Sequence, residues 1–212
     1  MSNVPHYTML RKTTKLGDAT LTDGMIKDGL WDVYHNFHMG SAAELGVKKY
    51  NLSREALDAY AIESYKRAAQ ATVNGKFKNE IVPINIEAKG GNLRIDKDED
   101  VDKIILDKVS KLKPTFEKDG NLTAANSSNL NDGAAALILV SAEAAKKYNL
   151  KPLGKIVSYA DAAQAPEWFT TAPAKAIPLA LKAANLTLND IDYFEINEAY
   201  ASVILSIQQL LN

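Results

Sequence analysis

The first 40 residues of the chain show little periodicity in their apolar positions. Glycines interrupt them repeatedly, and this pattern predicts a region dominated by loops. The periodicity then becomes helical. Residues 41–44 (Ser-Ala-Ala-Glu) fit a capping box, in which Ser and Glu side chains satisfy free backbone N–H groups, and they predict a helix from Ser41. A second helix is predicted to begin at Ser53 and to end at Asn74-Gly75.

The middle of the chain combines a short alternating segment with a long charged one. Residues 81–86 alternate as a strand does, and Pro83 confines such a strand to an edge or a bulge. Residues 87–120 are rich in Lys, Asp and Gly. They include an acidic run at 96–100, which is typical of a solvated loop.

From about residue 120 the pattern predicts alternating strands and helices. The predicted strands are 134–140, 153–159 and 193–196, and the predicted helices are one from Ser141, 173–185 and 198–211. This order indicates an α/β layered sheet, on which residues 1–120 form an insertion or cap. Three strands are too few for a parallel sheet with both faces covered, so we expect neighbouring strands from elsewhere.

Composition narrows the classes of function. The chain has 212 residues, 46% hydrophobic and 24% charged, which is ordinary for a globular protein. A formal net charge of -1 gives no reason to expect binding to nucleic acid or to an anionic membrane. No apolar run approaches the roughly 20 residues that span a bilayer. Because the chain has no cysteine, it holds no disulfide, zinc–thiolate site or cysteine nucleophile.

Asn197 is the first candidate for chemistry. It follows the predicted strand 193–196 and precedes a predicted helix, and ligands in open α/β sheets gather at the carboxyl ends of strands. A helix N-terminus supplies free N–H groups, and an asparagine there can position a water or donate to an oxyanion. The alternative is structural, because asparagine is a favoured N-cap and Glu198 in the first turn favours the helix dipole.

Two further segments could contact a ligand. His38 could hydrogen-bond a ligand carbonyl or amide, while Met39 offers an adaptable apolar wall. Simple packing of a lone histidine is the alternative. Residues 126–133 are dense in turn-forming residues. They form either a tight loop into a strand or a backbone surface that a ligand or a monovalent cation can approach.

In their order along the whole chain, these segments resemble the thiolase family. No single segment is specific, but the ordered set is. The set comprises residues 28–30 (Asp-Gly-Leu), 38–40 (His-Met-Gly), 53–55 (Ser-Arg-Glu), 75–77 (Gly-Lys-Phe), 80–83 (Glu-Ile-Val-Pro), 111–114 (Lys-Leu-Lys-Pro), 123–126 (Thr-Ala-Ala-Asn), 131–136 (Asn-Asp-Gly-Ala-Ala-Ala) and 197–199 (Asn-Glu-Ala). Within the family, His-Met-Gly favours the biosynthetic branch, the acetyl-CoA C-acetyltransferases.

The resemblance implies the thiolase fold, in which two related α/β halves pack as α/β/α/β/α layers. Residues 1–120 then correspond to the loop domain that caps coenzyme A. Residues 121–141 correspond to the end of the N-terminal half, and residues 142–212 to the start of the C-terminal half. We therefore expect an internal part of a larger enzyme, with the loop domain and pieces of both halves.

The implied reaction is the reversible Claisen condensation of two acetyl-CoA to acetoacetyl-CoA and coenzyme A. In the family it requires a nucleophilic cysteine, an acid/base cysteine and a histidine, and the motifs that carry them are absent from this chain. We therefore expect the chain alone to be inactive. Asn197 corresponds to the family asparagine that holds a water in an oxyanion hole. No cofactor is implied besides the thioester substrate, although some members bind a potassium ion.

The resemblance also assigns binding positions. Those for coenzyme A are Leu30, His38, Met39, Tyr65, Lys103, Lys108, Phe116, Ser128 and Phe169. Those for the potassium ion are Tyr65, Ala124, Ala125 and Ser127. From the residues alone, the two lysines are as compatible with ordinary exposed charges, and Tyr65 with a residue that covers its own helix face.

Relatives of this kind form homo-oligomers, dimers or tetramers, and supply mevalonate and sterol precursors. A cytoplasmic location is expected, while mitochondrial and peroxisomal locations stay open because the chain start does not fix the compartment. A second class of function is a non-catalytic coenzyme A-binding or interaction module derived from a thiolase. A complete small protein of unrelated function is a third and more remote reading.

Overall fold

A computed structural model of the chain describes residues 1–8, 16–88 and 90–212. Short elements make up its first part. Strands β1 (His6–Tyr7) and β2 (Thr22–Asp23) pair antiparallel, a π-helical turn (Ile26–Leu30) follows, and strands β3 (Trp31–Asp32) and β4 (Phe37–His38) form a second antiparallel ribbon. The described part of the predicted loop-rich region therefore contains two short ribbons and a π-helical turn.

Two helices form the scaffold of the first half, α1 (Met39–Lys49) and α2 (Arg54–Val73). Helix α2 confirms the sequence prediction at both ends. At its start the hydroxyl of Ser53 accepts a hydrogen bond from the backbone N–H of Ala56 at 3.2 Å. At its end Asn74 is the C-cap and Gly75 adopts a φ of 67°, a left-handed conformation that glycine accommodates without strain.

Helix α1 begins two residues before the predicted Ser41, and its cap is different. Its N-cap is His38, whose Nδ1 accepts a backbone N–H of the first turn at 2.9 Å. Glu44 does not close a capping box. It is 1% exposed, and its Oε1 accepts the backbone N–H groups of Asn121 at 2.9 Å and Leu122 at 2.7 Å. The capping-box pattern assigned the Glu44 side chain to the helix start, but this side chain makes a tertiary contact instead.

A hairpin follows helix α2. Strand β5 (Ile84–Ala88) pairs antiparallel with β6 (Gly91–Ile95), with Ile84 opposite Ile95. The strand predicted at 81–86 thus forms only after Pro83, which cannot donate a ladder hydrogen bond. Its partner β6 was not predicted.

The charged segment after the hairpin is more ordered than a solvated loop. It contains helix α3 (Asp100–Lys103) and a 3-10 turn (Leu106–Lys111). Val109 is 1% exposed, and the guanidinium of Arg54 donates to the carbonyl oxygens of Val109 at 3.0 Å and Leu112 at 2.9 Å. The acidic run agrees with a solvated loop at residues 96–99, which are exposed. The later turn is instead ordered, because Arg54 fixes its backbone against helix α2.

The helices predicted after residue 120 are present. Helix α4 (Ala142–Lys147) has Ser141 as its N-cap, helix α5 (Pro173–Ala184) ends at Asn185 with a φ of 56°, and helix α6 (Ala201–Leu211) begins three residues later than predicted. Two 3-10 turns, Pro166–Thr171 and Leu188–Asp190, flank α5. Within the described residues, no helix combines the length and the apolar character needed to cross a membrane.

The three strands predicted at 134–140, 153–159 and 193–196 are not formed. The described residues contain three two-stranded ribbons, and none of them includes these segments. Apolar side chains in them are exposed, for example 90% for Ile138 and 85% for Tyr159. A continuous apolar pattern reflects a preference for burial on both faces, but a strand also needs a neighbour that supplies backbone hydrogen bonds. No described segment supplies that neighbour.

The hydrophobic core lies between α1, α2 and α6. Its buried members include Ala43, Val47, Leu57, Leu122, Val203, Ile204 and Ile207. Partly buried aromatic residues, among them Tyr60, Phe116 and Phe169, pack against this core. Because Leu122 is fully buried, the loop that follows it is anchored between α2 and the start of α6.

Candidate functional site

The loop after Leu122 is fixed by Asn126, which is 2% exposed. Its Oδ1 accepts the backbone N–H of Thr123 at 2.7 Å, and its Nδ2 donates to Oδ1 of Asp58 on α2 at 2.9 Å. Its backbone carbonyl accepts the N–H of Ala201, the first residue of α6, at 2.9 Å. One buried asparagine therefore joins this loop to both helices, with the amide oxygen and nitrogen both hydrogen-bonded.

The same loop lies antiparallel to the segment that carries Asn197. Ser127 and Tyr200 form an isolated bridge, and the backbone N–H of Ser128 donates to Ala199 at 2.9 Å. Because Tyr200 is the N-cap of α6, Asn197 precedes the helix by several residues and does not cap it. The N-cap alternative is therefore wrong, and so is the placement of Asn197 directly between a strand and a helix.

A cavity of about 830 Å³ opens beside Asn197, between helix α2, residues 95–101, residues 125–132 and residues 195–201. Several predicted site residues line it, namely Tyr65, Ala125, Ser127, Ser128 and Asn197. Within the described chain, Oγ of Ser127 is buried and has no hydrogen-bond partner. Ala124 is exposed and does not line the cavity. Asn197 and three of the four predicted ion positions therefore line the same cavity.

The cavity wall is acidic. Six carboxylate residues line it, which are Asp98, Glu99, Asp100, Asp132, Glu195 and Glu198. The lining lysine is Lys97, whose ammonium is hydrogen-bonded to Asp102. Like charges repel, so a phosphate group is disfavoured next to the carboxylates of residues 98–100. An uncharged ligand arm fits this cavity better than an anionic one.

A second group of predicted residues forms an aromatic cluster next to the cavity. The rings of His38 and Phe116 stack at 5.0 Å between centroids, and the Phe116 ring meets that of Tyr200 edge-on at 5.8 Å. A Cβ atom added at Gly40 would lie 2.2 Å from the Phe116 ring, so this close packing requires glycine. Tyr200 directly precedes Ala201, a lining residue, and so connects the aromatic cluster to the cavity.

The remaining predicted contacts of coenzyme A are dispersed. Met39 is the first residue of α1, Leu30 ends the π-helical turn, and Phe169 packs on the core. The ammonium of Lys103 is exposed and hydrogen-bonded to Glu99, and this bond raises the pKa of Lys103. Lys108 is exposed on the 3-10 turn. None of these five residues lines the cavity.

Sequence reasoning missed a hydrogen-bonded cluster at the cavity wall. The hydroxyl of Tyr60 donates to Oε1 of Glu198 at 2.5 Å, and the hydroxyl of Ser64 donates to Oε2 at 2.6 Å. Burial, followed by the hydrogen bond to this carboxylate, raises the pKa of Tyr60 well above its ordinary value. The available signal was the four-residue spacing of Tyr60 and Ser64, which places both hydroxyls on one helix face.

Carboxylates and histidines form no metal-binding group in the part of the chain that the structure describes. Within residues 1–8, 16–88 and 90–212, no three His, Asp or Glu side chains are placed to bind a metal ion together. A multivalent metal site built from such ligands is therefore absent from the described part of the chain. This result concerns His, Asp and Glu ligands, and it does not extend to a monovalent ion held by carbonyl and hydroxyl oxygens.

We expect the free energy of unfolding to fall as the pH is lowered from 7.5 to 5.5, because His38 becomes protonated. Burial lowers the pKa of His38, and protonation of Nδ1 removes the acceptor for the α1 cap. A depressed folded-state pKa gives stability that is present above the unfolded-state value of about 6.5 and is lost as the pH falls through the lower folded-state value. Urea midpoints at the two pH values measure this loss.

The control for this prediction is His38→Asn, since asparagine caps helices without titrating. The variant is expected to lose less stability than the wild type over the same pH interval. Equal losses in both proteins would show that other groups cause the acid sensitivity.

Two family models match the chain. The model described as Thiolase, N-terminal domain, matches residues 1–143, and the model described as Thiolase, C-terminal domain, matches residues 150–212. Among curated relatives, Acetyl-CoA acetyltransferase 1 of Arabidopsis thaliana is 49% identical and aligns with 100% of this chain and 52% of its own length. Mitochondrial acetyl-CoA acetyltransferase of Mus musculus is 48% identical over 100% of this chain and 50% of its own length.

Solved structures agree with this result. The acetyl-CoA acetyltransferase of Bacillus anthracis has a TM-score of 0.92 at 37% identity, and the match covers 98% of this chain and 53% of that chain. Human mitochondrial 3-ketoacyl-CoA thiolase has the same TM-score and identity, with 99% and 54% covered. The chain spans about half the length of the curated relatives it matches. Its mixed helices and strands are a partial thiolase fold, and the chain belongs to the thiolase family.

Proposed function

We propose that the chain provides part of the substrate site of an acetyl-CoA C-acetyltransferase, which condenses two acetyl-CoA reversibly to acetoacetyl-CoA and coenzyme A. The observation that carries this proposal is the shared cavity of Asn197, Ser128 and Tyr65, next to the aromatic cluster of His38 and Phe116. Relatives named acetyl-CoA acetyltransferase support it at 45% to 50% identity.

Each of these residues has a defined role in the proposed site. Asn197 holds a water that donates to the substrate oxygen on which negative charge develops, an arrangement that lowers the barrier to carbon–carbon bond formation. Ser128, at the cavity wall, contacts the uncharged pantetheine arm. The stacked rings of His38 and Phe116 provide the wall next to the acyl group, and Met39 follows His38 at the start of α1. The acidic wall at residues 98–100 directs the phosphates of coenzyme A away from it.

The chain does not supply the nucleophile. Its 212 residues include no cysteine, and thioester exchange in this family uses a thiolate. We therefore propose that the isolated chain is catalytically incompetent and that a cysteine from outside these residues completes the site.

A potassium ion is a further proposed component. Tyr65, Ala125 and Ser127 line the cavity, and the buried Oγ of Ser127 lacks a partner in the described chain, which suits an added oxygen-binding ion. A monovalent cation also offsets part of the acidic wall. Ala124 is exposed and fits this group less well. When bound, the ion stabilises the conformation of the loop that carries Ser127 and Ser128.

Assembly and location are proposed from the same relatives. We propose a homo-oligomer that makes acetoacetyl-CoA for mevalonate and sterol precursors in the cytoplasm. A relative from Gibberella zeae is named cytosolic, which supports that compartment, while the relative from Mus musculus is named mitochondrial. Fractionation of cells that express a tagged gene product tests the compartment directly.

A chimera tests the proposed activity. The aligned segment of Arabidopsis Acetyl-CoA acetyltransferase 1 is replaced by this chain, so that the relative supplies the flanking residues. We expect the chimera to cleave acetoacetyl-CoA with coenzyme A, and the isolated 212-residue chain to show no turnover. A folded chimera without activity would contradict the proposed function. Turnover by the isolated chain would contradict the need for an external cysteine.

The lack of cysteine favours one alternative, a non-catalytic module that binds coenzyme A or a partner protein. Isothermal titration of the isolated chain with coenzyme A distinguishes the two functions when combined with the chimera. Binding together with an inactive chimera would support the module. An active chimera would reject it, and absence of binding at millimolar coenzyme A would remove the coenzyme-binding form of it.

A further inference from the structure

The carboxylate of Glu198 is held at both oxygens by helix α2. Tyr60 donates to Oε1 at 2.5 Å and Ser64 donates to Oε2 at 2.6 Å. Hydrogen bonds to an ionised carboxylate are stronger than those between neutral groups, and two donors fix the carboxylate plane as well as its position. Glu198 directly follows Asn197, so this anchor acts on the backbone next to the proposed oxyanion residue.

Helix α2 is a rigid support for this anchor. Leu57 is fully buried and Ala61 is 6% exposed, so one face of the helix is fixed in the core. Asp58 on the same helix pairs with Arg54 at 2.7 Å and receives Nδ2 of Asn126 at 2.9 Å. The hydroxyls of Tyr60 and Ser64 therefore project from an element that packing and hydrogen bonds already hold in place.

The segment that carries Asn197 has few other hydrogen bonds, and its remaining support is the packing of Ile196 and Ala199 against the core. Residues 192–199 have no regular secondary structure, and the side chain of Asn197 is exposed. In the described chain, the hydrogen bonds of this segment are those of Glu198 and the bond from Ser128 to the carbonyl of Ala199. The Ala199 bond fixes the segment after Asn197. The Glu198 bonds are the side-chain hydrogen bonds nearest to Asn197.

We propose that Glu198 is a positioning residue, which holds Asn197 at the cavity through its two hydrogen bonds to helix α2. The inference rests on the proposed acetyltransferase function, because it gives Asn197 a catalytic task. Glu198 itself needs no contact with the substrate. Its contribution is geometric, and misplacement of a catalytic group by about 1 Å can cost roughly 100-fold in rate.

The first test uses the 212-residue chain and needs no activity. Backbone ¹⁵N relaxation reports the order parameter of the Asn197 amide, which is about 0.85 for a rigid backbone and below about 0.6 for a flexible one. Wild type is expected to be ordered, and Glu198→Ala to be flexible at this residue. Glu198→Gln retains an acceptor oxygen and is expected to stay close to wild type.

Glu195→Ala is the matched control, since Glu195 lines the same cavity and its replacement removes an equal charge. It is expected to leave the Asn197 amide ordered. A flexible Asn197 in the wild type would overturn the proposal, and so would equal order in wild type and Glu198→Ala. Equal effects of Glu195→Ala and Glu198→Ala would also overturn it, because charge alone would then be the cause.

The second test measures the activity of the chimera. It separates an effect on the position of Asn197 from an effect on the stability of the protein. Glu198→Ala is expected to lower kcat by about 10- to 100-fold with KM changed less than about 3-fold, as for an interaction that matters mainly in the transition state. Glu198→Gln is expected to restore most of kcat, and Asp192→Ala, which removes an exposed carboxylate of the same segment outside the cavity lining, is expected to retain it. Unchanged kcat in Glu198→Ala would overturn the proposal. An inactive parent chimera would instead count against the proposed function, while the relaxation test still decides the position.

Discussion

Replacement of Glu44 by alanine is expected to lower the free energy of unfolding by about 2–5 kcal/mol, a large share of the stability of a domain. Glu44 is 1% exposed, and its Oε1 accepts two backbone N–H groups, from Asn121 and Leu122. Alanine leaves both donors without this acceptor, the N–H of Leu122 in a buried environment and that of Asn121 in a partly buried one. Each unsatisfied buried donor costs about 1–3 kcal/mol.

Urea unfolding of the isolated chain measures this effect. Glu44→Gln keeps an acceptor oxygen of similar shape, so a smaller loss is expected than for alanine. Glu63→Ala is the control on the surface, because Glu63 pairs with Arg67 in solvent and exposed pairs contribute about 0–1 kcal/mol. If Glu44→Ala and Glu63→Ala shift the midpoint equally, the loop of Asn121 is not held by the Glu44 carboxylate.

Helix boundaries were predictable where the signal is local. Ser53 and Ser141 both cap helices through their own hydroxyls, and Asn185 ends α5 in the left-handed conformation that asparagine tolerates. The two serine contacts each span three residues, so the sequence around the helix end is enough to predict them. Gly75 ends α2 for the same reason.

Predictions failed where a distant residue decides. Ser41 matched the capping pattern, but Glu44 is used by residues 77 and 78 positions away, which no local rule can anticipate. The segments 134–140, 153–159 and 193–196 have the apolar character of buried strands without hydrogen-bonded neighbours. A strand prediction assumes such neighbours, and the assumption is not testable from the segment itself.

The candidate site also combines features that the sequence indicates with features that depend on distant contacts. Asn197, Ser128 and Tyr65 come from three distant parts of the sequence. The resemblance to thiolases assigns all three to the substrate site, and in the structure they line one cavity. Lys103 does not line that cavity, and its ammonium is hydrogen-bonded to Glu99, a residue of the cavity wall. The anchor of Glu198 was not anticipated, because it depends on how the face of α2 meets the segment before α6.

In the chimera, Asn197→Ala is expected to lower kcat for cleavage of acetoacetyl-CoA by about 100- to 1,000-fold, the range seen when one oxyanion donor is removed. Alanine cannot hold the water that donates to the developing negative charge, whereas binding of the ground state depends on other contacts. KM is therefore expected to change less than kcat. Steady-state kinetics with varied acetoacetyl-CoA provide both constants.

Asn129→Ala is the matched control, since Asn129 lines the same cavity and donates only at 3.4 Å to the hydroxyl of Tyr65. Its kcat is expected to remain close to that of the parent chimera, because the bond is long and therefore weak. Equal losses in the two variants would mean that the cavity tolerates no change at all, and the specific role of Asn197 would then be rejected. A kcat that survives Asn197→Ala would reject it directly, because the water would then need another donor.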